Sequence, residues 1–225
     1  MLGKNLDHLK PDKLEDRFSH IYKTAHWTIG NQGIPLSGTG SSLEATETLR
    51  AELPKMLEII QAKSILDVGC GDFTWMKTLN LTEIEYIGID IVEDVIADNI
   101  AKFSGPNVRF DHLNAVEDEL PQADVILIRE VLFHLSNADI WSVLNNIVKS
   151  NPRWILLTSD RLSDFNADIV SGDWRLVNFR KAPFFFPEPS YFIDESIVRP
   201  GRHLAVWATE DILPSLDKKR RVSGL

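Results

Sequence analysis

The chain has 225 residues, 44% of them hydrophobic, and a formal net charge of −9. This length and apolar content fit one globular domain with a full core. The acidic balance argues against a broad nucleic-acid-binding face, which needs a basic stripe. No apolar run approaches the roughly 18 residues of a membrane span, and polar residues interrupt the N-terminal region where a signal peptide carries its apolar core.

Cys70 is the single cysteine of the sequence, so no internal disulfide forms and a reducing, cytoplasmic location is expected. The six histidines have no metal-ligand spacing, and we expect no metal site. The basic run Lys218-Lys-Arg-Arg221 is interpreted as part of a flexible, solvated tail over 213–225.

Two helices are predicted ahead of the first strand. Apolar residues recur at helical spacing over 11–25. A glycine-rich loop follows over 29–40, and Ser41-Ser-Leu-Glu44 has the pattern of a capping box that begins a second helix. That helix is expected to continue to about residue 62, with Pro54 kinking or dividing it.

The segment Ser64-Ile-Leu-Asp-Val-Gly-Cys-Gly-Asp72 is the most informative part of the chain. A buried-strand pattern runs into a Gly-Cys-Gly turn, and residues 73–79 are compatible with a helix. A strand, glycine turn and helix form a site for a nucleotide-like cofactor at the carboxyl edge of a parallel sheet. The dinucleotide fingerprint is weak because Thr74 stands where its third glycine belongs, and no Walker motif follows.

Four further strands are predicted downstream by short apolar runs. They lie at 86–90, 108–110, 123–128 and 153–158. Strands that alternate with helices at this rhythm imply a parallel sheet covered on both faces.

The glycine turn resembles motif I of the class I S-adenosylmethionine (SAM) methyltransferases, Asp/Glu-x-Gly-x-Gly. Asp67, Gly69 and Gly71 align with it, whereas Phe73 stands where most members have a third glycine. The resemblance implies SAM as the cofactor. It also implies an α/β, Rossmann-like fold with a mostly parallel seven-stranded sheet, helices on both faces and an N-terminal helical lid.

The family fold also suggests how the chain is organised. Residues 1–62 would form the N-terminal helices and lid, residues 63–212 the SAM-binding core, and residues 213–225 the tail. Family folds close with an antiparallel strand pair, for which 176–180 and 203–209 are the candidates.

Three positions receive specific cofactor roles. Asp90, about 20 residues beyond the glycine turn, is expected to accept hydrogen bonds from the ribose hydroxyls. The resemblance places Asn114 against the adenine, and Arg50 either binds the methionine carboxylate or forms a surface salt bridge. The full set expected at the cofactor is Asp67, Gly69, Cys70, Gly71, Asp72, Asp90, Ile91, Asn114, Arg129 and Arg50.

Candidate catalytic residues follow the fourth strand. His134 is a candidate base because its ordinary pKa lets it accept a proton at cellular pH. Glu130 lies four residues earlier, so on a helix it would share a face with His134 and orient the imidazole. The alternative is that His134 has a structural role at the start of a helix. Arg129 either pairs with an acidic residue of the fold or contacts the substrate.

Segments at both ends of the chain resemble a little-characterised, mainly bacterial methyltransferase subgroup often found near sugar and polysaccharide genes. They include Trp27-Thr-Ile-Gly30, Ser37-Gly-Thr-Gly40, Gly172-Asp-Trp-Arg175 and Pro183-Phe184. An irregular aromatic segment beside the site would suit a substrate-binding wall, although such residues often fill core. The expected substrate-binding residues are Trp27, Ser37, Trp174, Arg175 and Phe184.

These observations predict a SAM-dependent methyltransferase that methylates a small molecule or saccharide, with oxygen favoured over nitrogen as the acceptor atom. The alternatives are an RNA or protein methyltransferase and a non-catalytic SAM-binding regulatory module. We expect no nucleic-acid or membrane partner, and a monomer or homodimer.

Overall fold

The computed structural model describes residues 6–28 and 33–223. Seven strands form one sheet with the order β3-β2-β1-β4-β5-β7-β6. The strands are β1 (Ser64–Val68), β2 (Glu85–Asp90), β3 (Val108–His112), β4 (Val125–Ile128), β5 (Trp154–Asp160), β6 (Tyr191–Asp194) and β7 (Arg202–Ala208). The first five strands pair in parallel, and β7 is antiparallel to both of its neighbours. This sheet confirms the predicted Rossmann-like fold class.

Five α-helices accompany the sheet in the described part of the chain. They are α1 (Leu14–Lys23), α2 (Glu47–Ile59), α3 (Glu93–Phe103), α4 (Asn137–Ser150) and α5 (Thr209–Ser223). The Ser136 side chain caps α4 by accepting a hydrogen bond from the Asp139 amide at 3.1 Å. The backbone of α5 occupies most of the segment predicted to be a flexible tail, and residues 224 and 225 lie outside the described residues.

Apolar side chains alternate between the two faces of the sheet. In β1, Leu66 and Val68 join the core beneath α1, α4 and α5, while Ile65 joins the core beneath α2 and α3. Because both faces are covered, the central strands are continuous apolar runs, as parallel strands usually are. No helix within residues 6–28 and 33–223 is long and apolar enough to cross a membrane.

The antiparallel edge differs from the prediction. Residues 176–180 form no strand, and β6 lies at Tyr191–Asp194 instead. Val177 and Phe179 are buried, which produced their strand-like alternation. The Phe179 ring lies 5.0 Å from the Phe184 ring, so the segment contributes to the core without joining the sheet.

The second helix begins later than the capping-box pattern predicts. The Ser42 hydroxyl accepts a hydrogen bond from the Ala45 amide at 3.1 Å, but this bond closes a turn. The helix α2 begins at Glu47, and it continues through Pro54 to Ile59 without being divided. The predicted N-cap is therefore a local side-chain turn, which Ser forms as readily as a helix cap.

The helix expected after the glycine turn is reduced to a single 3₁₀ turn at Met76–Thr78. Phe73 has a left-handed backbone with φ of +56°, a conformation unfavourable for side chains other than glycine. Its ring is buried 5.0 Å from the Tyr86 ring and 5.1 Å from the Phe110 ring. Aromatic burial thus holds a backbone conformation that otherwise favours glycine.

The backbone strain at Phe73 predicts that a glycine variant is more stable than an alanine variant at this position. We expect Phe73→Ala to lower the free energy of unfolding by about 3–5 kcal/mol, because the buried ring is lost and the left-handed strain stays. Phe73→Gly should be about 1 kcal/mol more stable than the alanine variant, since glycine adopts this φ freely. Urea denaturation of the three proteins measures both differences. If the free energy of unfolding of the glycine variant is equal to or lower than that of the alanine variant, the backbone at this position is unstrained.

Candidate active site

A cavity lies beyond the carboxyl ends of β1, β2 and β4, where the strand order reverses. It encloses about 930 Å³ of empty space, counting its open mouth. Doubly wound sheets bind their ligands at this topological position. Its polar lining comes from side chains at the strand ends: Asp67, Asp90, Asn114, Arg129, Glu130 and His134.

The glycine turn leaves space at the floor of this cavity. Gly69 has φ of +73°, and a Cβ there would lie 2.4 Å from Val131 Cγ2. Gly71 has φ of +56°, and a Cβ there would lie 2.8 Å from the Ser37 Cβ. Its amide donates to Asp90 Oδ2 at 3.1 Å, so the turn fixes the Asp90 carboxylate beside the cavity. Both glycines are therefore required by close approach as well as by their backbone conformation.

Asp67 is buried at the end of β1, next to the glycine turn. The Tyr86 hydroxyl donates to Asp67 Oδ2 at 2.7 Å. Burial raises the pKa of Asp67 to about 7, although the Tyr86 hydrogen bond and the Arg129 charge both lower it. The charge of this carboxyl therefore changes near neutral pH.

Two buried ion pairs connect the end of β4 to the β6–β7 region. Arg129 Nε and Nη2 lie 2.8 and 2.7 Å from Glu195 Oε1. Arg202 Nη1 donates to both carboxylate oxygens of Glu130, at 2.9 and 2.8 Å. Glu130 itself has φ of +62°, a left-handed conformation of the kind found at functional sites. The prediction that Glu130 orients His134 is wrong, because Arg202 holds its carboxylate.

A backbone carbonyl orients His134. Its Nδ1 lies 2.8 Å from the Asp173 carbonyl oxygen, which can only accept, so we assign the ring proton to Nδ1. This leaves Nε2 as a proton acceptor. Burial lowers the pKa of His134 to about 4, so the ring is neutral at pH 7. The ring stacks on Trp27 with a centroid distance of 5.1 Å.

The Gly172-Asp-Trp-Arg175 segment holds this histidine in place. The Gly172 amide donates to the His134 carbonyl at 2.7 Å, and the Arg175 amide donates to the Phe133 carbonyl at 3.1 Å. The Arg175 guanidinium adds bonds to the Phe133 carbonyl at 3.2 Å and to Asn137 Oδ1 at 3.0 Å. Arg175 is buried and engaged with the backbone, so its predicted role in substrate binding is replaced by a structural one.

A second cleft adjoins the cavity and encloses about 800 Å³ of empty space. Four side chains line both spaces: Trp27, Ser37, Glu130 and His134. Side chains that line the second cleft but not the cavity include Phe133 beside His134, Trp174, and Val198, Arg199 and Arg202 from the β6–β7 region. The cavity and the second cleft are therefore two compartments that share a wall containing the candidate base.

N-terminal residues cover the cavity. Phe18 and Tyr22 of α1 line it, as do Trp27 and Ser37. The Ser37 hydroxyl donates to Asp72 Oδ1 at 2.9 Å, which fastens the covering loop to the glycine turn. Residues 29–32 of the predicted lid loop lie outside the described residues. The part that is described occupies the position expected of a lid.

Four residues predicted for the site line neither the cavity nor the second cleft: Arg175, whose structural role is described above, and Arg50, Asp72 and Phe184. Arg50 donates to the Leu43 carbonyl at 2.9 Å and to the Thr46 hydroxyl at 3.3 Å. The Asp72 carboxylate accepts a hydrogen bond from the Ser37 hydroxyl. Phe184 is fully buried beside Phe179 in the core. The remaining predicted cofactor residues line the cavity: Asp67, Gly69, Cys70, Gly71, Asp90, Ile91, Asn114 and Arg129.

Comparisons with known proteins agree with this geometry. Residues 66–150 match the model of a family described as "Methyltransferase domain". This segment runs from β1 through α4 and contains Asp67, Asp90, Asn114 and His134. This part of the chain is therefore similar to a methyltransferase domain. Residues that line the cavity thus come largely from the matched segment.

Similar proteins are methyltransferases. A ubiquinone biosynthesis O-methyltransferase of Hydrogenovibrio crunogenus is 31% identical over 106 residues, 44% of this chain and 43% of the relative. The chain therefore matches less than half the length of this curated relative. Human N-acetylserotonin methyltransferase, solved with SAM, is 12% identical with a TM-score of 0.52, covering 87% of this chain and 69% of that one.

A second solved structure shares the fold. Magnesium protoporphyrin IX methyltransferase from Synechocystis PCC 6803, solved with S-adenosylhomocysteine (SAH), is 13% identical with a TM-score of 0.51. The match covers 67% of this chain and 72% of that one. At such identities the likeness concerns the methyltransferase fold, and the acceptor has to be argued from the residues of this chain.

The raised pKa of Asp67 predicts how the stability of the protein changes with pH. Its folded pKa of about 7 exceeds the ordinary 3.8, so the folded state holds the proton more tightly. The bound proton therefore contributes its full share to the free energy of unfolding at low pH, and this contribution is lost as the pH rises through the folded-state pKa. We expect the melting temperature of Asp67→Asn, relative to wild type, to rise between about pH 5 and pH 7 and then level off. Calorimetry across this range measures the difference.

The matched control is Asp98→Asn, which removes an exposed carboxylate from α3. Its melting-temperature difference from wild type should stay constant over the same range. A constant difference for Asp67→Asn as well would contradict the assignment of the titration to Asp67.

Proposed function

We propose that this protein is a SAM-dependent methyltransferase that methylates a hydroxyl group of a small molecule bound in the second cleft. The observation that carries the proposal is the position of His134. It lines both the cavity and the second cleft, and its Nδ1 is held by Asp173 so that Nε2 remains to accept a proton. A base at the shared wall of two compartments suits transfer between a cofactor and an acceptor.

The cavity residues fit SAM. Gly69 and Gly71 allow Val131 and Ser37 to approach the turn closely, and the Asp90 carboxylate beside the turn would accept hydrogen bonds from the ribose hydroxyls. Asn114 would face the adenine, although its side-chain oxygen already accepts from the Val116 amide at 3.0 Å. Apolar side chains around them would cover the flat faces of the base: Ile91, Leu113, Val116 and Leu132.

SAM supplies an electrophilic methyl group on a sulfonium. The chain has to align the acceptor, remove its proton and exclude water. With SAM bound in the cavity, His134 Nε2 would take the proton of the acceptor hydroxyl as the hydroxyl oxygen receives the methyl group. The side chains of Tyr22, Trp27 and Ser37 shield the cavity from solvent.

Several features support a small acceptor over a macromolecule. The second cleft has a limited volume, and the net charge of −9 opposes a nucleic-acid substrate. A positioned, neutral base favours an enzyme over a regulatory SAM-binding module. The curated relative is an O-methyltransferase by name, which is consistent with an oxygen acceptor. A saccharide acceptor, a cytoplasmic location and the oligomeric state stay predictions.

The assignment of Asp90 to the ribose predicts the affinity for SAM. Asp90→Asn should weaken SAM binding by about tenfold or more, because one charged acceptor of the ribose hydroxyls is lost. Isothermal titration of wild type and variant measures the change. Asp111→Asn, at a half-buried carboxylate of β3 that does not line the cavity, serves as the control and should leave the affinity unchanged. Equal SAM affinity in the Asp90 variant would remove Asp90 from the cofactor site.

The role of His134 predicts both rate and pH dependence. His134→Asn retains a donor for the Asp173 carbonyl but removes the base, so kcat should fall by about 10²–10⁴-fold with SAM affinity unchanged. Because the wild-type ring has a pKa of about 4, the ionisation of His134 should leave the ratio of wild-type to His134→Asn kcat/KM constant between about pH 6 and pH 8, and this ratio should fall only as the pH approaches 4. Release of SAH across a panel of hydroxylated acceptors provides the assay. A rate loss below tenfold would assign His134 a structural role.

A further inference from the structure

We propose that the second cleft recognises an acceptor with an anionic group, a carboxylate or a phosphate, and that Arg199 pairs with it. This inference rests on the proposed function, since it names the acceptor of the same site. The acceptor is thereby an anionic hydroxy compound, whose hydroxyl meets His134 and whose charge meets Arg199.

The first argument is the state of the arginines around the site. Arg129 is paired with Glu195, and Arg202 is paired with Glu130. Within the described residues, Arg199 has no carboxylate partner at salt-bridge distance. Its guanidinium carbon lies 5.2 Å from the centroid of the Trp174 ring. Arg199 is therefore a cation of the second cleft whose charge no acid of the described chain neutralises.

The second argument is the local charge. Among the residues that line the second cleft, two arginines face the single carboxylate of Glu130. His134 is neutral at pH 7 because its pKa is lowered to about 4. The cleft therefore carries a net positive charge in a chain whose formal net charge is −9. A cationic cleft on an acidic protein attracts anions selectively.

The third argument is the geometry of the arginine. Stacking on Trp174 orders the planar guanidinium at little entropic cost, and its edge keeps its donors available. Such a fork matches the two oxygens of a carboxylate or phosphate, which a flexible ammonium does less well. Trp174 is 40% exposed and lines the same cleft, so the pair is accessible to a ligand.

Benzoate, phenyl phosphate and the neutral analogue benzamide test this inference by titration into the ¹⁵N-labelled protein. The indole resonance of Trp174 reports binding in the second cleft. We expect both anions, or one of them, to bind in the millimolar range and benzamide to bind at least about tenfold more weakly. The tighter anion distinguishes carboxylate from phosphate recognition.

Arg199→Gln should weaken anion binding by about tenfold or more, because it removes the charge and the paired donors. The matched control is Arg161→Gln. Arg161 also lies over an aromatic ring, 5.9 Å from the centroid of Phe192, but it does not line the second cleft. This control should bind the anions like wild type.

Three results would overturn the inference: no shift of Trp174 with either anion, binding of benzamide as tight as that of the tighter anion, or equal affinity of Arg199→Gln and wild type for that anion. Titration with SAM separates this inference from the proposed function. If SAM binds and is consumed but the anions fail, the methyltransferase proposal stands and the Arg199 assignment falls. If the anions bind but SAM does not, the cleft is an anion site and the proposed function falls.

Discussion

The organisation of the site depends on two consecutive residues of opposite charge at the end of β4. Arg129 pairs with Glu195, and Glu130 pairs with Arg202, so both partners come from the β6–β7 region. Burying such charges is costly, and each is tolerated only because its partner is in place. Glu130, which follows Arg129 directly, has the left-handed backbone conformation at the point where these two ion pairs meet. These contacts hold the antiparallel edge, with Arg199 on it, against the end of β4, and thereby form the wall of the second cleft.

Elements with a strong local signal were predicted from the sequence. The parallel strands are short apolar runs buried on both faces, and each was located to within two residues. Of the antiparallel pair, β7 was located but β6 was not. The strand β6 is short and three of its four residues are exposed, whereas Val177 and Phe179 are buried in a segment that forms no strand. Likewise, the residues after the glycine turn have helical composition, but the left-handed backbone and buried ring of Phe73 leave only a 3₁₀ turn.

Site residues that directly follow a strand could be predicted from the sequence, whereas contacts between residues far apart in the sequence could not. Residues that follow a strand, such as Asp90 and His134, are brought to the cavity by the sheet itself. Their partners come from far along the chain: Asp173 is 39 residues from His134, and Glu195 is 66 residues from Arg129. Arg50 and Arg175 had plausible chemistry for a ligand, but each guanidinium is bound to nearby backbone carbonyls. Residue type alone cannot distinguish these arginines from Arg199.

The low pKa of His134 has a physical connection to the charge of the acceptor. Burial is its largest cause, and the positive charges of Arg202 and Arg175 add to it. A ring in this state is always unprotonated at neutral pH, but it is a weak base. An anion in the second cleft would offset the arginine charges and favour the protonated ring, because negative charge raises the pKa of an imidazole. An anionic acceptor would therefore strengthen the base that removes its own hydroxyl proton, whereas a neutral one of the same shape would leave it weak.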